Sequence, residues 1–498
     1  MLPWLLTILF APGIASSQIF TRITDPTNPV VTDGGAPGYC GASWIDVDRD
    51  GWVDLFVGDR GLYRNLGGGA FALTLIPGNL ETIGNSWADF DNDGDNDLMV
   101  AGNDGGRGSR LFRNDGSTFT RVTAGDLADS LANAGWACSW GDYDADGLID
   151  LVITSSLGTT SSTPNRLLHN QGGGRFAYDL STDVTRGTAP YTVPTWCDFD
   201  LDGDLDLSIS AGPILSPGPD FFYRNQRIEG GTPLLSRITT GALATDLQDG
   251  QIVNWIDYDN DGDLDCYITN YFQFVNALYR NDGGTFVRMT SAVGPIVTDD
   301  GISLASVWND YDNDGDLDCF VSKPGGACRY YRNEGNGTFV AADIGEPVTI
   351  PAITATAADY DRDGDVDLYL SSPGPLHGLF RNDLAAGRHW LEVDLTGTLS
   401  NRSAIGARVR VHAIIGGKDV WQMREVSAQN TFNGQSSLVQ HFGLGDATQV
   451  LQLRIEWPRG LIETMANVPV DTCLALVEGD VGTPVTIALA GTRLSDRG

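Results

Sequence analysis

Histidine and basic residues are scarce in this sequence. Five histidines occur among 498 residues, and 31 lysines and arginines stand against 65 aspartates and glutamates, for a net charge of −34. Nucleic acid needs a basic face, so a chain this acidic argues against a nucleic-acid partner. His377, His389, His412 and His441 are scattered, and His169 replaces an arginine in a repeated signature. There is no H-E-x-x-H, no nucleophile elbow and no phosphate loop, so no catalytic residue is assigned. No long stretch has helical period, and after the first eighteen residues no apolar run is long enough to cross a bilayer.

The opening "MLPWLLTILFAPGIASSQ" reads as a secretory signal over 1–17, with small residues Gly13, Ala15 and Ser17 at the cleavage region. The alternative, a membrane anchor, meets a span that is too short and broken by proline. Seven cysteines make an odd set with no zinc spacing. Cys138, Cys197, Cys266 and Cys319 read as small buried side chains. Cys319 and Cys328 flank "KPGG" and are a candidate disulfide across a hairpin.

What the chain has in abundance is one loop. The pattern D-x-D-x-D-G-x-x-D occurs seven times, at intervals of 43 to 59 residues. The first supplies Asp46, Asp48, Asp50 and Asp54; the second Asp89, Asp91, Asp93 and Asp97. The third has Asp142, Asp144, Asp146 and Asp150; the fourth Asp198, Asp200, Asp202 and Asp206. The fifth has Asp257, Asp259, Asp261 and Asp265; the sixth Asp310, Asp312, Asp314 and Asp318; the seventh Asp359, Asp361, Asp363 and Asp367. A period near 50 residues signals a repeat architecture. Each loop is followed by "YRN", "FRN" or "LHN", and most of these by a Gly-rich turn and a short alternating run. Four short strands per unit make a propeller blade, so the fold predicted is an all-β, seven-bladed β-propeller with a small all-β domain behind it.

Alternating carboxylates on a tight loop suit a hard cation. Calcium takes six to eight oxygens in irregular geometry, whereas magnesium demands an octahedron and keeps its water. Positions 1, 3, 5 and 9 offer side-chain oxygens, position 6 is a turn glycine such as Gly94, and position 7 offers a backbone carbonyl. An EF-hand is excluded, because position 12 is apolar at Val57, Val100 and Ile153. The expected cofactor is calcium, one ion per blade and up to seven. Positions 1, 3, 5 and 9 of the seven loops account for 28 of the 65 acids, and seven calcium ions would bring the charge from −34 to −20.

These motifs resemble the FG-GAP, or VCBS, repeats of integrin α-subunit propellers. The resemblance implies calcium loops on one face and ligand-binding loops on the other. "SNRSAIGARVRV" (400–411), "REVSAQNTFNGQSS" (424–437), "QHFGLG" (440–445) and "RIEWPRG" (454–460) resemble the ASPIC/UnbV domain. That domain is found behind such propellers, including in relatives of cartilage acidic protein 1. The domain boundaries expected are 1–17 signal, 18–385 propeller, 386–482 ASPIC/UnbV-like domain and 483–498 tail.

The "YRN" arginines could bind an anion or pair with carboxylates, with the Asn capping the next turn. The recurrent Trp at 44, 87, 140, 196, 255 and 308 could stack on sugars or pack the core. The last unit lacks its outer strand, and "IFTRIT" (19–24) at the front matches the missing run, which predicts that the two ends of the ring join there. The functional expectation is a secreted calcium-binding propeller that binds a protein or glycan through non-repeated loops at 155–165, 211–221 and 269–277. A polysaccharide-active enzyme and a structural scaffold are the alternatives.

Overall fold

A computed structural model describes residues 20–481 and 485–486, except 37, 77–81, 103–107, 117, 129–134, 156–162, 213–216, 231–234, 273, 300 and 385–386. The expected signal segment lies outside the described residues, as do parts of all three non-repeated loops and most of the tail. Among the described residues no helix is long and apolar enough to cross a membrane.

Seven four-stranded antiparallel sheets form the blades. Burial falls from the inside of each blade outward. In the second blade the inner strand Gly84–Ala88 and its neighbour Asp97–Ala101 are buried throughout, while the outer strand Phe119–Arg121 is mostly exposed. That gradient explains the sequence: the inner runs need side chains that are covered on both faces, and the outer run alternates. The tryptophans belong to the core. Trp44, Trp87, Trp140 and Trp196 are fully buried, and Trp255 and Trp308 are partly covered. Several stack on the aromatic at the second loop position of the preceding blade: Trp44 on Tyr360, Trp140 on Phe90, Trp196 on Tyr143 and Trp255 on Phe199, with centroids 5.1–6.3 Å apart. Repeated stacking of this kind fixes the angle between blades.

The ring closes where the sequence predicts. Phe20–Arg22 forms the outer strand of the seventh blade, in register with Asn382, Arg381 and Phe380. Phe20 is fully buried against Tyr311, and Arg22 pairs with Glu346. The edge that a seventh blade would otherwise expose is thereby covered.

The candidate disulfide is not formed: all seven cysteines are free. Cys319 packs with Tyr258 and Tyr267, whereas Cys328 packs with Phe20 and Tyr330. The two thiols serve different apolar clusters, so a hairpin that brings their backbones near does not bring their sulfurs together.

After the seventh blade come two further four-stranded sheets. One has the order Gln440–Gly445, His389–Thr396, Thr472–Val477 and Val485–Thr486, with a parallel pair at its centre. The other has the order Lys418–Glu425, Arg408–Ile415, Val450–Glu456 and Ile462–Val468. Their core, with Leu391, Val411, Phe442 and Ile455 fully buried, is continuous with Phe90 and Trp140 of the propeller. Two residues of the tail are thus the last strand of a sheet.

This domain sits on the face that carries the aspartate loops, and its segment 427–437 enters the axis of the ring. Gln435 accepts the Trp87 amide and its carbonyl accepts from Thr356 Oγ1; Thr354 Oγ1 donates to Phe432 O. Asn433 O accepts from Asn85 N at the start of the second blade's inner strand. Phe432 is fully buried among Ala137, Val193, Ile252, Leu304 and Ala305, near the starts of four inner strands. The segment therefore runs the length of the channel. Gly434 permits it: a Cβ there would lie 2.0 Å from Ala42 O.

Candidate metal centres

Each loop folds by the same internal hydrogen bonds. The first aspartate accepts the amide of the sixth-position glycine in all seven copies, as Asp142 does from Gly147 at 3.0 Å. The fifth aspartate accepts the amide of position 7, and the ninth accepts the amide of the Asn in the following "RN" or "HN". That Asn caps the next turn and joins its own loop to the preceding blade: Asn281 Nδ2 donates to Leu264 O of its own loop at 3.1 Å and to Phe199 O of the preceding blade at 3.2 Å. The same bond recurs around the ring, ending with Asn65 on Tyr360 O. Two positions take left-handed backbone. The sixth is glycine, and the fourth, at φ 54–60°, is filled by Arg49, Asn92, Ala145, Leu201, Asn260, Asn313 and Arg362. The sequence reading missed the fourth, because only its three Asn carry a signal for that region.

The carboxylates converge. Asp46, Asp48 and Asp50 bring ligand oxygens within 4.8 Å of one another, as do Asp89, Asp91 and Asp97, then Asp142, Asp144 and Asp150, then Asp198, Asp200 and Asp206. The fifth, sixth and seventh loops repeat the same internal bonds, through Asp257 and Asp261, Asp310 and Asp314, and Asp359 and Asp363. Burial and, second, the neighbouring loop carboxylates push Asp46 up to about 6, Asp89, Asp142 and Asp257 to about 7, and Asp97 and Asp265 to about 9. Asp150, Asp206, Asp318 and Asp367 are likewise raised well above the usual carboxylate range, by burial first. A cation among them reverses that shift, since an opposite charge favours the ionised form. Buried oxygens with no hydrogen-bond partner among the described residues remain at Asp46 Oδ1, Asp202 Oδ2, Asp206 Oδ2, Asp259 Oδ1 and Asp361 Oδ1. The loop has already placed its own amides elsewhere, so these oxygens fit a hard cation and no protein donor.

The "YRN" arginines pair with carboxylates. Arg64 reaches Asp48 and Arg224 reaches Asp200 within the loop, while Arg113, Arg280, Arg332 and Arg381 pair with the acid two residues on. In the third blade His169 Nδ1 lies 3.2 Å from Asp150 and 3.4 Å from Asp144, and the Asp150 bond raises it to about 9. Position 7 carries another overlooked acid, present in five loops. Asp204, Asp263 and Asp365 use it to accept amides from the turn after the third strand.

The C-terminal domain reaches the first-position aspartates. Arg408 Nη1 is 2.6 Å from Asp198 Oδ2, and Ser403 Oγ accepts the Asp89 amide. Gly443 packs against Asp310, where a Cβ would lie 2.0 Å from Oδ2. Glu425, pushed to about 8 by burial and by Asp198, accepts the Asp198 amide.

A seven-bladed propeller whose every blade carries a carboxylate cage, capped by a β domain on the cage side, defines the class. The FG-GAP-like repeat pattern matches residues 46–100, 89–153, 143–209, 257–321 and 310–370, together more than half of the chain. The chain belongs to the FG-GAP-like repeat family, and an ASPIC and UnbV domain is matched at 397–483. It is similar to cartilage acidic protein 1 of Xenopus tropicalis, 25% identical over 164 residues, which is 32% of this chain and 24% of that protein. The match thus spans about a quarter of that relative's length. Crystal structures of BBS1N in complex with ARL6DN, soaked with mercury or with lead, align at TM-scores of 0.47 and 0.41 with 12% and 13% identity. They cover 74% and 70% of this chain, and 98% and 94% of theirs.

Proposed function

We propose that this protein is a secreted, calcium-stabilised binding module that engages a protein or glycan ligand through the face opposite the aspartate loops. The calcium ligands are the 28 loop aspartates, joined by position-7 carbonyls, with up to one ion per blade. Calcium here is structural: it neutralises carboxylates that otherwise repel at a few ångströms. The observation that carries the reading is the buried loop oxygens without donors, at Asp46, Asp202, Asp206, Asp259 and Asp361. The docked domain supports that choice of face. It covers the loop face and fills the axis down to Phe432, so the other face, with its non-repeated loops, remains for a partner. Secretion suits such loops, because calcium outside the cell is abundant enough for modest-affinity sites.

The test is thermal melting in calcium and in chelator, with bound ions counted on the same sample. Each occupied site stabilises by roughly 2.7 kcal/mol at a hundredfold excess over Kd. Unchanged melting with fewer than about four ions bound rejects the calcium reading. A screen of glycans and matrix proteins, repeated with the 269–277 loop replaced, tests the binding face; binding that survives every loop replacement rejects it.

A further inference from the structure

The C-terminal domain holds a buried histidine that the loops do not use. His441, on the strand Gln440–Gly445, pairs in register with Glu392 on His389–Thr396. Cross-strand partners project to the same face of a sheet. His441 is 6% exposed and Glu392 8%. With Asp359 of the seventh loop they line one interdomain cavity of about 100 Å³.

The neighbours of His441 fix its tautomer. Asn313 Nδ2 donates to Gly364 O at 3.0 Å and to Asp365 Oδ1 at 3.1 Å, which orients the amide. Asn313 Oδ1 then faces His441 Nε2 at 2.7 Å and accepts its proton. In the neutral ring Nδ1 then carries the lone pair; it is buried and has no hydrogen-bond partner among the described residues. Glu392 Oε1 is 3.8 Å from it, beyond hydrogen-bond range. Trp390 stacks on the imidazole at 6.4 Å and 18° and holds its plane. Asp359 lines the same cavity, so a second carboxylate borders the space into which Nδ1 and Glu392 face.

We propose that His441 Nδ1, Glu392 and Asp359 form a zinc-class divalent-cation site that bridges the two domains. Two ligands each about 2.1 Å from one ion, with a wide angle between them, stand roughly 3.5–4 Å apart, as Nδ1 and Oε1 do. Imidazole selects zinc-like cations over calcium, and the amide oxygen on the other ring nitrogen is the outer partner that metal-bound histidines use. The site rests on the calcium reading only through Asp359, which also belongs to the seventh loop.

The experiment uses the full chain saturated with calcium. It is loaded with zinc, dialysed against calcium buffer, and both metals are counted by elemental mass spectrometry. The expected result is one zinc per chain with the calcium count unchanged. His441→Ala and Glu392→Gln each lose that zinc, keep their calcium and still melt cooperatively. Cys473→Ser, which removes the thiol paired with Glu392 on the neighbouring strand, keeps both metals. Cobalt in place of zinc gives a visible absorption band that is absent in His441→Ala. Zinc that is never retained means that water alone fills the gap, and overturns the proposal. Zinc retained by either His441→Ala or Glu392→Gln overturns it, as does loss confined to Cys473→Ser. The calcium count on the same sample separates failure of this site from failure of the loops.

Discussion

Asp142 and Asp198 occupy the same place in adjacent blades and accept the same two loop amides, yet their surroundings differ. Asp198 also meets Arg408 and Glu425 of the C-terminal domain. Around the ring, Asp89 meets Ser403, and Asp359 shares a cavity with Glu392. The propeller repeats one solution seven times, and the capping domain, which repeats nothing, makes the seven loops unequal. Repetition sets the cage, and the non-repeating domain sets each cage's environment.

Four changes break or sharpen that comparison. The largest effect belongs to the propeller as a ring. Deleting residues 20–24 removes the buried Phe20 and uncovers the strand Gly378–Asn382, for a loss on the order of 5 kcal/mol measured by chemical denaturation. Retention of full stability shows that the ring is held by other contacts. Next comes the cap. Phe432→Ala empties the far end of the axis and costs about 3–5 kcal/mol. If the C-terminal domain is an appendage, propeller melting stays where it was.

Third is a repeated part altered once. Asn281→Ala leaves Phe199 O and Leu264 O without their donor, for about 2–3 kcal/mol. Hydrogen exchange localises the loss to the fourth and fifth blades if the units are coupled only to neighbours. The smallest effect is a departure from the repeat within the fourth blade. Asp220 is buried, accepts the Ala211 amide on one oxygen, and is raised to about 7 by burial and by Asp249. Its folded pKa exceeds the unfolded value of 3.8, so its contribution is present at low pH and is lost as pH rises through about 7. Asp220→Asn cannot ionise, so its stability relative to the parent rises by about 2 kcal/mol between pH 5 and pH 8 in saturating calcium. Parallel pH curves for the two proteins contradict this.

The sequence made the repeated part legible for a local reason. Each cage is closed by residues within nine positions of one another, and each Asn that ties it to the preceding blade follows the ninth-position Asp by 11 to 20 residues, in a recognisable "RN" or "HN". Even the ring closure could be read, since "IFTRIT" matches the run "TFTRVT" (118–123) that has no counterpart after the last unit. The fourth loop position escaped because Leu201 and Ala145 give no hint of left-handed backbone. The disulfide failed because adjacency across a hairpin says nothing about which cluster each side chain joins.

By itself, then, the sequence determined the number of blades, the cage in each and the strand that joins the ends, because those depend on short-range pattern and on repetition. Only the tertiary structure decided which face the second domain covers, that residues 427–437 fill the axis, and that His441, Glu392 and Asp359 share one cavity. Those pairings join residues that are tens to hundreds of positions apart and occur once. Their partners are chosen by shape and burial across an interface, and no period in the chain encodes that choice.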